Sequence, residues 1–187
     1  MLFSKSTITA AFVAAFCFLG SSMVSAQPAE AIAYIVGTNT IDNSTILGTV
    51  RFTQSDYDAP TQIVANITGL SVGKHGIHIH EFGDISQGCA TSGPHFNPFN
   101  RTHHGPDDKD RHVGDLGNIR AETNGSAYLE LSSDLVELSG KYSIIGRAIV
   151  VHSGEDDLGL GNSPLSSKNG NAGERWVCGA IAYAFTE

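Results

Sequence analysis

Cysteine, positive charge and long apolar runs are all scarce in this chain, and each scarcity removes a class of function. The 187 residues include 3 Cys, and 11 Lys and Arg stand against 19 Asp and Glu, for a formal net charge of −8. That acidic balance argues against nucleic acid or an anionic membrane surface as partner. Beyond residue 26 no apolar run approaches the ~20 residues that a membrane-spanning helix needs. Convincing helical periodicity is missing from Gln27 to Glu187, as are internal repeats and low-complexity linkers. No GxSxG elbow and no PCxxC occur, which sets aside the serine-hydrolase and zinc-deaminase arrangements.

The first 26 residues read as a secretory signal peptide. Lys5 is followed by an apolar run around Ala10 to Leu19, and the segment ends on the small-residue pattern Val24-Ser25-Ala26. Removal near Gln27 leaves one domain, residues 27–187, and takes Cys17 with it. Cys89 and Cys178 then remain, and in an oxidising compartment two such cysteines most simply form one disulfide, the alternative being two unlinked buried thiols. Secretion also gives meaning to four glycosylation sequons, at Asn43, Asn66, Asn100 and Asn124.

Eight short apolar or alternating runs punctuate the mature chain, at 31–36, 46–52, 62–67, 76–81, 117–122, 126–131, 144–152 and 176–185. Separated by Gly, Asn, Asp and Pro clusters, they predict an all-β fold, an eight-stranded antiparallel sandwich or barrel. Two connections are too long for simple turns, 82–113 and 153–174, and loops of that length tend to carry function.

All 8 histidines fall between residues 75 and 152. In HGIHIH, residues 75–80, a strand turns His78 and His80 to one face and Ile77 and Ile79 to the core. An HxH pair on a strand is a moderately specific metal signal. His95, His103, His112 and Asp115 offer three nitrogens and a carboxylate within one loop, the ligand set of a closed four-coordinate zinc site that holds its loop in place. His78, His80 and His152 supply further imidazoles, which suit zinc, copper, iron or nickel. Competing motifs fail on detail. HEFGD at 80–84 has Asp84 where HExxH needs its second histidine, and Glu81 points away from the face on which a cupin glutamate belongs.

With HGIHIHEFGD, GCATSGPHFNP, RHVGDLGN, VVHSGEDDLG and GNAGERWVCG in order, the sequence resembles the eukaryotic copper/zinc superoxide dismutases in a secreted form, over essentially the whole mature chain. The resemblance implies a Greek-key barrel of immunoglobulin-like topology and conversion of superoxide to oxygen and hydrogen peroxide, as secreted antioxidant defence. It implies one copper per subunit on His78, His80, His95 and His152, and one zinc on His95, His103, His112 and Asp115. His95 is then the shared ligand and the proton carrier, and the count agrees: seven residues serve eight coordination positions. Asp156 would accept hydrogen bonds from His78 and His103. Cys89–Cys178 would tie the metal-bearing loop to the last strand, and Arg175, helped by Lys168, would draw the anionic substrate to copper. A homodimer is the expected assembly. The chain ends at AYAFTE, so no basic heparin-binding tail is expected.

The sequence departs from the family at Pro164 and Leu165, where acidic residues are common, and at Ile77, where phenylalanine is frequent. His75 reads as a structural histidine and His104 as a surface one. Two other readings are a metal-delivery domain, expected to lack a copper ligand, and a mononuclear cupin-like oxidase, which has no use for the second histidine cluster.

Overall fold

The computed structural model describes residues 29–37 and 45–185. The expected signal segment with Lys5 and Cys17, the processing point near Gln27 and the Asn43 sequon lie outside the described residues. Among the described residues there are ten strands: β1 (Ala29–Gly37), β2 (Ile46–Gln54), β3 (Thr61–Ile67), β4 (Gly73–His80), β5 (Ser86–Cys89), β6 (Asp115–Ala121), β7 (Ala127–Ser133), β8 (Ala148–His152), β9 (Arg175–Ala180) and β10 (Ala182–Tyr183). A one-turn helix, α1 (Ser166–Asn169), and a short 3-10 turn at Ala90–Ser92 complete the fold.

The strands run in the order β10-β1-β2-β3-β7-β6-β4-β8-β9, and β1 also pairs with β9, which closes the sheet. Every pairing is antiparallel. Eight strands form the barrel, with Greek-key crossings from β3 to β4 and from β7 to β8. Its two seams are narrow. β6 meets β7 only at Arg120↔Tyr128 and Ala121↔Ala127, and β1 meets β9 only at Val36↔Cys178 and Gly37↔Val177. The barrel is thereby flattened into two facing halves, β1-β2-β3-β7 and β6-β4-β8-β9, so barrel and sandwich describe the same object.

The core between the halves holds Phe52, Ile63, Ile67, Ile77, Ile79, Leu116, Ile119 and Ile149. Each is fully buried, and burial of such a side chain contributes about 1.5–3 kcal/mol. On β3 the alternation is regular, buried residues exchanging at each step with exposed or half-buried ones. On β4 every residue from His75 to His80 is buried. There the isoleucines face the core while the long loops cover the imidazoles, so the outer face is as dry as the inner one.

Two predicted strands are shorter than their sequence patterns. Residues 144–147 do not belong to β8: Ile144 is buried, but its N–H bonds to Glu137 O at 2.9 Å in a loop. The last run breaks at Ile181, whose N–H turns to Arg147 O at 2.8 Å, leaving β9 and the two-residue β10. Buried isoleucines at the barrel end satisfy a strand pattern without lying in the ladder. The two long connections carry short elements of their own, β5 in the first and α1 in the second.

Candidate metal centre

The half-barrel β6-β4-β8-β9 brings the ligands together. β4 pairs with β8, His78 opposite Val150, and with β6, where a bulge between Gly76 and His78 sets His78 against Asp115. His152 ends β8. The first long loop folds back so that His95 bridges to His80, and it carries His103 and His112 behind it. Two groups result, His78-His80-His95-His152 and His95-His103-His112-Asp115, each with ligand atoms within 4.8 Å of one another and every residue buried. All seven predicted ligands are therefore assembled, with His95 in both groups.

The second group is organised around one carboxylate oxygen. Asp115 Oδ1 lies 2.9 Å from His95 Nδ1, 2.9 Å from His103 Nδ1 and 3.2 Å from His112 Nδ1. Ligands of a tetrahedral ion with bonds of about 2.0–2.1 Å stand about 3.3 Å apart, close to this spacing. Backbone N–H groups of His104 and His112 donate to Asp115 Oδ2 at 3.2 and 3.1 Å and fix the carboxylate. In the all-imidazole group, His80 Nε2 and His152 Nε2 are 3.3 Å apart.

The outward nitrogens are all held. His80 Nδ1 donates to Gly93 O at 2.8 Å, His152 Nδ1 to Gly173 O at 3.1 Å and His112 Nε2 to Arg101 O at 3.0 Å. His78 Nε2 and His103 Nε2 donate to the two oxygens of Asp156, each at 2.8 Å. An N–H spent outward leaves the inner nitrogen its lone pair, which is how metal-binding imidazoles are oriented. His95 differs: its Nδ1 faces Asp115, and its Nε2 has no outward acceptor. Two buried side-chain nitrogens, His78 Nδ1 and His95 Nε2, lack a hydrogen-bond partner among the described residues, and a third, His103 Nδ1, has only the close approach of Asp115 Oδ1 at 2.9 Å. A buried polar atom without a partner is costly, and a cation at each group's centre satisfies all three.

Protonation divides the groups. Burial, reinforced by neighbouring His95, keeps His78 and His80 well below the ordinary imidazole range. Burial also lowers His95, and it lowers His152 to about 4, with His95 and Arg175 adding to the effect. For His103 burial again pushes down, but the hydrogen bonds to Asp115 and Asp156 together outweigh it and raise the ring to about 9. Both carboxylates are pushed up by burial, yet hydrogen bonds from the histidines outweigh this and hold them below the usual carboxylate range.

The second long loop reaches the site through glycine. Gly170 has φ +67°, and a Cβ there would overlap Asp156 Oδ1 and sit 2.6 Å from His103 Nε2. Only a residue without a side chain lets that backbone close over the Asp156 link. Asn118 is a supporting residue that the sequence reading missed. Its side chain donates to Asp156 O at 2.9 Å and accepts from Asp156 N at 2.8 Å, clamping the loop to β6. The signal was its place at the end of RHVGDLGN.

A cleft of about 670 Å³ opens on the all-imidazole side, lined by His80, His95, His152, Lys168 and Arg175 among others. Arg175 donates to Ala90 O at 2.7 Å, Cys89 O at 3.1 Å and Gly93 O at 2.6 Å. Those acceptors are neutral, and Arg175 makes no ion pair among the described residues, so its charge stays available at the cleft. The Cys89–Cys178 disulfide is present and fastens this same segment to β9. Closing its 89-residue separation stabilises the fold by about 4–5 kcal/mol in the chain-entropy model.

The remaining predictions sort cleanly. His75 Nδ1 and Nε2 lie 2.9 Å from His152 O and Ser71 O, a bracing position outside both groups. His104 is partly exposed, with Nε2 3.0 Å from Thr102 Oγ1. Ile77 is fully buried in the core. Pro164 and Leu165 are exposed just ahead of α1, and Lys168 is exposed on it.

Comparison with known proteins agrees with this geometry. The family profile described as copper/zinc superoxide dismutase (SODC) matches residues 46–181. The extracellular superoxide dismutase [Cu-Zn] of Drosophila melanogaster is 48% identical over 155 residues, covering 83% of this chain and 86% of that protein. Superoxide dismutase [Cu-Zn] 3 of Arabidopsis thaliana is 49% identical over 152 residues, covering 81% and 89%. The enzyme of Talaromyces marneffei is 51% identical over 140 residues, covering 74% and 91%. The chain belongs to the copper/zinc superoxide dismutase family, oxidoreductases that convert superoxide to oxygen and hydrogen peroxide.

Proposed function

We propose that His78, His80, His95 and His152 hold copper, that His95, His103, His112 and Asp115 hold zinc, and that His95 joins the two in each subunit. The observation that carries this reading is the pair of inward-facing nitrogens on His95, one against Asp115 and the other without a protein partner. A metal-delivery domain would lack a copper ligand, and a mononuclear oxidase would leave the Asp115 group without purpose.

Copper, when bound, supplies the one-electron cycle in which one superoxide is oxidised to oxygen and a second is reduced to hydrogen peroxide. The chain does the rest. Arg175, set beside the cleft by the carbonyls of residues 89–93, attracts the anion in a protein whose net charge is negative, because a local field in a concave site outweighs the distant exterior. His95 Nε2, which faces no acceptor of the protein, is the ring nitrogen that would hold a proton for the reduced substrate whenever it is not a metal ligand. Asp156 fixes His78 and His103 together and so keeps the two groups in register.

The chain is further proposed to be secreted, to carry N-linked sugar and to form a homodimer. Support for secretion comes from the disulfide, whose compartment is oxidising, and from the signal pattern of residues 1–26. Large apolar side chains left exposed, Phe82 and Phe185 among them, give a second copy something to bury. No helix among the described residues is long and apolar enough to cross a membrane.

The direct experiment measures copper and zinc per chain together with superoxide consumption, for the wild type and His152→Ala. The expected result is one copper and one zinc per wild-type chain, with loss of copper and of activity in the variant. Zinc alone, with no activity after copper loading, would exclude the assignment.

A further inference from the structure

We propose that Asn66 carries an N-linked oligosaccharide whose first sugar lies against the ring of Tyr128. The inference rests on the secretion proposed above and assigns one of the four sequons. Asn66 lies on β3, where Ile63, Ala65 and Ile67 turn into the core and Asn66 turns out and is exposed. Its direct partner across the ladder is Tyr128 on β7. Paired residues have Cβ atoms about 4.5–5.5 Å apart, so a sugar on Asn66 Nδ2 starts beside the ring.

Tyr128 offers an exposed aromatic ring beside Asn66. It is 60% exposed on the outer face of the barrel, its hydroxyl donates to Glu130 Oε2 at 2.7 Å, which ties down the ring's far end, and Arg120 on β6 is its other cross-strand neighbour. The C–H face of a pyranose fits an aromatic face, its weakly positive hydrogens meeting the negative π surface. On the other side of Asn66, Ile46, Leu47, Gly48, Thr49 and Thr68 line a shallow cleft of about 320 Å³. The side chain thus emerges between an aromatic ring and a partly apolar hollow.

The other two sequons among the described residues lack this seat. Asn100 neighbours Phe99, but that ring is already covered by Tyr142 at 4.8 Å and Arg101 at 5.3 Å. Asn124 uses its Oδ1 to accept from Ser126 N at 2.9 Å, in a turn with no paired ring. The donor is the lipid-linked oligosaccharide pyrophosphate of the secretory pathway. The bond from sugar C1 to the pyrophosphate oxygen breaks, the C1–Nδ2 bond forms, and one amide proton is released with the lipid pyrophosphate.

The test uses metal-loaded protein from a secreting eukaryotic host. Amidase removal of N-glycans in heavy-oxygen water converts occupied asparagines to labelled aspartates, which peptide mass mapping locates. Asn66 is expected to be labelled. Deglycosylation is expected to lower the Tm by about 2–4 °C in the wild type and in Tyr128→Phe, and to leave Tyr128→Ala unchanged. An unlabelled Asn66, or the same drop in Tyr128→Ala, overturns the proposal. Recovery from the medium is scored separately: secreted chain with a bare Asn66 sinks only this inference, whereas chain retained in the cell with every sequon bare sinks secretion as well.

Discussion

The all-imidazole group and the carboxylate-bearing group share His95 and little else. In the first, burial lowers every ring, and His152 falls to about 4. In the second, Asp115 and Asp156 outweigh burial and lift His103 to about 9. Arg175 and a cleft of about 670 Å³ adjoin the first; a second cleft of about 620 Å³ reaches His95 and His112 of the second group, whose His103 and Asp115 are fully buried. Neutral imidazoles beside an anion-attracting cleft suit a metal that must meet substrate and change charge. A carboxylate that gathers three imidazole nitrogens suits a metal that holds a loop. The difference comes from where acidic side chains stand, since both groups use the same ring as ligand.

The largest effect is expected from removing what the groups have in common besides His95. Asp156→Ala frees His78 and His103 at once, so affinity should fall about 10–100-fold for both metals, as read by competition titration. A loss confined to one group would mean that Asp156 serves only that side. The next effect is a difference in pH response. At pH 7 His103 of the metal-free protein, with its value near 9, carries a proton that an incoming cation must displace. Affinity of the carboxylate-bearing group should therefore decrease by about tenfold per pH unit as pH falls from 9 to 7. The all-imidazole group, already neutral there, should bind its three unshared nitrogens with little change until pH approaches about 4. Equal slopes in metal titrations would erase the distinction.

Smaller still is the effect of Arg175→Ile, which touches only the all-imidazole side. Turnover should drop severalfold at low ionic strength and lose most of its salt dependence, with zinc content unchanged. Asn118→Ala should be the mildest. It removes two hydrogen bonds to the Asp156 backbone, worth about 1 kcal/mol each, and thermal melting should record a modest loss with both metals still bound.

Much of this was legible in the sequence, for reasons that differ by residue. Period two in HGIHIH placed His78 and His80 opposite Ile77 and Ile79, because a strand converts alternation directly into faces. The candidate ligands were legible through residue type and family likeness, and the structure gathers them into two groups. The support for the ligands was less so. Asp156 was found only through the resemblance, and Asn118 and Gly170 were not found at all. Each acts through contacts between segments far apart in the chain, and neither a lone amide nor a lone glycine announces such a contact. Strand ends failed for a related reason: Ile144 and Ile181 are buried as strand residues are, but they cap the barrel from loops.

His95→Ala tests the central claim most directly, by titrating copper and zinc into the metal-free variant and wild type separately. A ligand that serves both groups requires both affinities to fall by more than about tenfold from this single substitution. Loss of one affinity with the other intact would show two independent sites and contradict the shared histidine.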